Sequence, residues 1–265
     1  MRDDAPLTGE EWHRLDGLVV ETARKILMGR RIIKLTGPFG AGLQMIPRDS
    51  LEVGEACLHE QVDEGTCESQ PVQVSQREIL SLPVIHKDFW LRWRDIETSR
   101  QFDLPLDLSP TGAAAAACAH AEDKLIFDGL LEAAGSKIEA ADWEEEGNGL
   151  ANVVAATEAL ISTGLYGAYA AVFPPALYAR LHRLMGRGGR LEIEHIGKVA
   201  SGGVFQAPGL ETPLVIAQGV QNLDLVVGQD LTTAYLGPDL VDYHFRVLES
   251  LVLRVKRAGA ICVME

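Results

Sequence analysis

Between Ser109 and Gly135 the chain reads SPTGAAAAACAHAEDKLIFDGLLEAAG, with five consecutive alanines near its start. Alanine enters a helix at the least entropic cost, and the leucines, glutamates and lysine that follow are nearly as favourable. Ser109 is placed to cap the N-terminus, Pro110 fits the first helical position where its missing N–H costs nothing, and Gly135 stops the run. This predicts one long helix over about 110–134. It is a spine along which the rest of the fold must be arranged.

A spine needs apolar surroundings, and 265 residues with 47% hydrophobic content supply them, enough for one large domain or two modest ones. The formal charge of -14, from 38 acidic against 24 basic residues, speaks against nucleic acid or an anionic membrane as partner, because both are bound through clustered Lys and Arg. No window approaches the ~18 consecutive apolar residues of a membrane span. The start, MRDDAPLTGEEW, lacks the basic and apolar regions of a signal peptide, so the expected compartment is the cytoplasm. Cys57, Cys67, Cys118 and Cys262 show no CxxC spacing, which suits reduced thiols; a hairpin that brought Cys57 to Cys67 would allow a disulfide there.

Thr8 with Glu11 three positions on forms a capping box, and Trp12, Leu15, Leu18, Val19, Ala23, Ile26 and Leu27 fall at helical spacing, so an amphipathic helix is expected over about 8–28. The apolar run RRIIKL then leads into a glycine-rich loop, TGPFGAG, Thr36 to Gly42. The polar, acidic stretch from LQMIP to VQVSQREI reads as an extended two-stranded arm, too poor in large apolar residues to bury much by itself, and so expected to lie on another subunit. LPVIHKDFWLRW is a strand, RDIETSRQF a short helix, DWEEEGNG an acidic loop, and ANVVAATEALISTG another helix. AYAAVF is a buried strand turned by Pro174 and Pro175 into a helix that the GRGG at 186–189 interrupts. From GGVFQAP onward, apolar strands alternate with turns.

Chemistry-bearing patterns are scarce. The loop TGPFGAG has neither the Gly-Lys-Ser/Thr of a phosphate loop nor a following helix, so it is a structural turn. Cys118, His120 and Glu122 resemble part of a zinc-deaminase motif, but no PCxxC follows, and alternate residues of a helix point apart. His86, His120, His182, His195 and His244 are read as isolated surface or interface residues. Trp90 and Trp93, beside Arg92 and Arg94, either stack an aromatic ligand or pack on the core or an interface. With no GxSxG and no paired metal ligands, the balance tilts toward a structural, non-enzymatic role, with no catalytic and no metal-binding residues expected.

APLTGEEW, GRR, TGPFGAG, LSLPVI, AEDKLIFDG, GLYGAYAAVFPP, LVVGQDLTTAY and RVLESLVLRV occur in the order found in encapsulins, and across almost the whole chain the sequence resembles that family of nanocompartment shell proteins. The resemblance implies an α+β fold like that of the HK97 phage capsid, with a peripheral domain, an axial domain and an extended loop (E-loop). By that likeness, 1–48 hold the lumenal helix and first peripheral strands, 49–80 the extended loop, 81–135 the spine, 136–224 the axial domain, and 225–265 strands returning to the peripheral domain. It also implies self-assembly of about 60 copies into an icosahedral shell. The shell would enclose a cargo enzyme, such as a ferritin-like iron-storage protein or a peroxidase, held by its C-terminal targeting peptide. Leu18, Ile26, Arg30, Ile32, Ile33, Leu248 and Leu251 are the residues that the likeness assigns to the cargo groove. Gly188, Gly189, Arg190, Glu192 and Glu194 are those it assigns to a five-fold pore. Trp93, followed by Arg100, resembles a flavin-binding spacing in some relatives, though the intervening length differs. Lys34 stands where relatives commonly carry an acidic residue, and the basic-apolar stretch that often precedes APLT is missing. A phage or prophage major capsid protein of the same fold is the alternative; packaging a genome would call for a positive interior, against the charge of -14.

Overall fold

The computed structural model describes residues 2–52 and 71–265. The candidate Cys57–Cys67 pair lies outside the described residues. The N-terminal helix α1 spans Gly9–Ile26 and begins at the expected capping box: Thr8 Oγ1 accepts from the Glu11 N–H, and a Glu11 carboxylate oxygen accepts from the Thr8 N–H at 2.6 Å. Its buried stripe is Trp12, Leu15, Val19 and Ala23, spaced as one helix face requires. RRIIKL divides between two elements. Gly29–Ile32 is a further helical turn, α2, and only Leu35–Thr36 is extended, as β1.

The polar arm is a two-stranded antiparallel hairpin of β2 (Met45–Glu52) and β3 (Gln73–Ser81), so its paired strands begin a little before the expected position 49. β4 (Val84–Leu91) and the short helix α3 (Trp93–Phe102) follow. The spine, α4, covers Ser109–Glu132, about 36 Å at ~1.5 Å per residue. Ser109 lies inside this helix and does not cap it. Asp107 does the local work instead, its Oδ1 accepting from the Ser109 backbone at 2.9 Å and from the Ser109 hydroxyl at 2.5 Å.

Beyond the spine come β5 (Ser136–Ile138), α5 (Asn148–Ser162), β6 (Tyr169–Phe173), α6 (Pro175–Arg180), β7 (Leu184–Met185) and β8 (Arg190–Leu191). The chain closes with α7 (Glu192–Val199), β9 (Gly203–Gln206), β10 (Leu214–Ala217), β11 (Leu223–Asp239), β12 (Asp242–Val255) and β13 (Ile261–Met264). One sheet has the order β1-β11-β12-β4 and the other β5-β13-β10-β6-β9. The last strand therefore does not return with β11 and β12. Ile261–Met264 are all buried, and they pair with β10 and β5 in the second sheet, where their apolar side chains leave water.

α4 joins two cores. Its first half packs Ala114, Ala115 and Cys118 with Trp12, Leu15 and Val19 of α1 and with Phe89 and Phe245 of the first sheet. Its second half packs Ile126, Phe127 and Leu130 into a larger core with β6, β10 and β13. Small side chains in the first half let α1 approach closely, which is what the alanine run provides. Larger ones in the second half fill the wider gap between the sheets.

Candidate functional site

α1 ends where the chain must pass close to the spine. At Gly29 an added Cβ would lie 2.5 Å from Ile126 Cδ1, so a side chain here would require Ile126 to shift. The Asp123 carboxylate accepts from the N–H groups of Met28, at 2.9 Å, and Gly29, also at 2.9 Å, which ties the start of α2 to α4. Burial raises the Asp123 carboxyl above its ordinary range, and those two backbone donors oppose the rise.

Arg30, the next residue, is the hub of an ionic cluster. Its Nε and Nη2 donate to Glu122 at 2.7 and 2.9 Å, Nη2 donates also to Glu249 at 2.8 Å, and Nη1 to Asp230 at 2.7 Å. Both glutamate side chains are fully buried, and three carboxylates face one guanidinium. Burial, reinforced by the Glu122 carboxylate, pushes the Glu249 carboxyl up to about 9. A carboxyl raised in this way binds a proton more readily, which lowers the excess of negative charge around Arg30. Burial alone would raise Asp230 as well, but its bond to Arg30 outweighs this and holds it below the usual carboxylate range. The four side chains come from GRR, AEDKLIFDG, LVVGQDLTTAY and RVLESLVLRV, segments far apart in the chain. The reading of candidate residues reached Arg30 alone, since a lone Glu or Asp carries no local signal of burial.

Asp230 and Leu231 reach this position through a bulge. Between Gln229 and Thr232, β11 carries one residue more than the facing β12, which turns its side chains locally. An apolar groove of about 410 Å³ results, floored by Val20, Ala23, Leu27, Leu35 and Leu231, with Arg24, Arg30, Arg31 and Asp230 at its sides. A second bulge, at Gly228, receives the loop TGPFGAG: the N–H groups of Phe39 and Gly40 donate to the carbonyls of Val227 and Gly228 at 3.1 and 2.8 Å.

Several residues assigned to a cargo groove lie elsewhere. Ile32, Ile33 and Leu251 are 4%, 4% and 0% exposed inside the main core, so they cannot touch a peptide. Leu248 alternates with Val247 and Glu249 on β12 and so lies on the other face of the sheet from Arg30. Leu18, half-buried, packs toward Gly112 of the spine and borders a separate hollow with Pro105 and Leu108. Ile26 packs against Ala23 and Leu27.

In the Met185–His195 segment, Gly188, Gly189, Arg190 and Glu194 are exposed. Glu192 is not, and its expected place in a pore lining is corrected: its side chain is fully buried, bonded to Arg183 Nε at 2.7 Å and to the Leu150 N–H at 3.0 Å. Arg183 also donates to the carbonyls of Glu144 and Glu145, so Glu192 anchors the acidic loop to α5.

His244 is not isolated. It stacks on Trp90 at 4.7 Å and bonds Asp88 at 3.0 Å, and Arg246 with His244 holds the Asp88 carboxyl down to about 2. Trp93 is half-exposed, with Arg94 over its ring at 5.8 Å. Arg100 donates to the Pro6 carbonyl at 2.6 Å. Among the described residues no group of three His, Cys, Asp or Glu is placed to hold a metal ion, and no helix is long and apolar enough to cross a membrane.

A family model described as an encapsulating protein for peroxidase matches residues 1–252. The type 1 encapsulin shell protein EncA of Myxococcus xanthus is 42% identical, over 98% of this chain and 94% of that protein. Among solved structures, the virus-like particle from Pyrococcus furiosus superposes with a TM-score of 0.80 at 22% identity, covering 97% of this chain and 100% of that one. The capsid of cyanophage P-SCSP1u superposes with a TM-score of 0.61 at 12% identity, covering 90% and 87%. These two likenesses concern the fold alone.

Proposed function

Because this chain belongs to the encapsulin family of shell proteins and has the HK97-type capsid fold, we propose that about 60 copies close into an icosahedral shell around a cargo enzyme. Shell building is the function; the subunit itself does no chemistry, and reactions belong to the enclosed enzyme, a peroxidase or a ferritin-like protein being the candidates. The cargo's C-terminal peptide docks on the lumenal side in the groove beside α1, Met185–His195 borders the five-fold pore, and the particle resides in the cytoplasm. The peripheral domain is built on the first sheet and α4, and the axial domain on the second sheet with α5, α6 and α7.

The observation that carries this reading is the β2–β3 arm. Across its paired strands only Ile46 is buried, while Met45, Leu51, Val74 and Ile79 are each at least 49% exposed. A lone hairpin of that kind is marginal in water, and a neighbouring copy gives it a surface to cover. Electron microscopy of the purified protein tests the proposal: closed particles are expected, and monomers or small oligomers alone would refute it. A phage capsid protein of the same fold is disfavoured by 42% identity to a shell protein against 12% to the cyanophage capsid.

A further inference from the structure

Of the cations around the groove beside α1, Lys25 is paired with Glu21 at 2.6 Å, and Arg30 is consumed by Glu122, Glu249 and Asp230. The acids nearby are likewise spoken for, Asp16 by Arg2 at 2.7 Å and Asp230 by Arg30. Arg24 and Arg31 are different. Both are exposed, and among the described residues neither has an ion-pair partner; the one polar link between them is a bond from Arg31 Nη2 to the Arg24 carbonyl at 2.7 Å. They stand on the ridge shared by the 410 Å³ groove and a second hollow of about 570 Å³ along α1. On a chain of net charge -14, the charge left over around this one groove is positive.

Resting on the docking reading above, we infer that the groove selects an extended peptide in which apolar side chains alternate with carboxylates. In an extended chain successive side chains point to opposite sides, so one set reaches the floor of Ala23, Leu27 and Leu231 while the other faces the rim. A carboxylate on that rim meets Arg24 or Arg31 without displacing an internal pair. A lysine or arginine there meets unpaired cations, and to reach Asp16, Glu21 or Asp230 it has to compete with the cation of this chain already bonded to each.

The test uses the full-length shell protein co-expressed with a fluorescent protein bearing one of three C-termini: leucine alternating with glutamate, leucine alternating with lysine, or no added tail. Fluorescence per purified particle reports loading. The glutamate tail is expected to load about threefold to tenfold above the lysine tail, as about two partly exposed ion pairs allow. In the Arg24→Glu/Arg31→Glu shell that order reverses. Equal or better loading of the lysine tail overturns the charge preference and leaves groove docking standing. If neither tail loads above the tailless control, docking in this groove falls, and the preference with it. A glutamate preference that survives the double substitution shows that these cations do not read the peptide. Should the doubly substituted shell fail to form, the comparison of tails in the unaltered shell still decides.

Discussion

Arg30 shows how one side chain organises a region. It links α2, α4, β11 and β12 through four hydrogen-bonded contacts, and its removal would leave two buried glutamates without their cation. Arg30→Ala is therefore expected to cost about 3–5 kcal/mol, read as a lowered yield and melting temperature of assembled particles. Glu249 gives the cluster a pH dependence of known sign. Its folded carboxyl sits at about 9 against an ordinary 4.5, so between those values the folded state binds the extra proton. Stability from this group is complete below the ordinary value and is lost as pH rises toward the folded one, at up to about 1.4 kcal/mol per pH unit. Glu249→Gln, which imitates the protonated form, should flatten the decline in melting temperature between about pH 5 and about pH 9. A variant with the unaltered slope would remove Glu249 as its source.

At the scale of elements, the loop TGPFGAG sets how β1 hands the chain to the arm. Gly37 adopts φ +116°, and an added Cβ would lie 2.4 Å from the Val227 carbonyl oxygen, against the very bulge that receives the loop. Gly40 adopts φ +106° but has open space around it. Gly37→Val should abolish soluble protein, whereas Gly40→Val should fold with about 1–3 kcal/mol of backbone strain and form fewer closed particles, as size-exclusion chromatography and microscopy would count. The arm's own cross-strand pairs, Arg77 with Asp49 at 2.7 Å and Arg48 with Glu78, are exposed and contribute little. Deleting the arm should accordingly leave a subunit that folds on its two cores and remains soluble, yet does not close shells.

For the whole molecule, a net charge of -14 on every copy makes assembly repulsive at long range. Raising ionic strength from about 0.01 M to about 0.15 M shortens the screening length from about 30 Å to about 8 Å, and should lower the protein concentration at which closed particles form. Light scattering across a salt series measures this. An assembly threshold that rose with salt would mean that ion pairs between copies outweigh the general repulsion. The spine makes such a shell subunit stiff, since one helix is embedded in both cores and couples the two sheets.

The sequence by itself determined what depends on neighbours along the chain. The capping box at Thr8 and Glu11, the stripe from Trp12 to Ala23, the extent of the spine, the strand–proline–helix turn at Pro174 and Pro175 and the hairpin character of the arm are short-range matters, set by backbone propensity and periodicity. The order of motifs carried the family. Which side chains face a groove was decided only by the tertiary structure. Ile32 and Ile33, which the family likeness assigns to a groove, are core; Glu192, which it assigns to a pore, is buried against Arg183; Ile261–Met264, which it groups with β11 and β12, cross to the other sheet. The cluster on Arg30 joins residues 92, 200 and 219 positions away from it. Such partners have no spacing to recognise, because a folded chain places charges together through packing, and a bulge of one residue in β11 is enough to change which side chains meet.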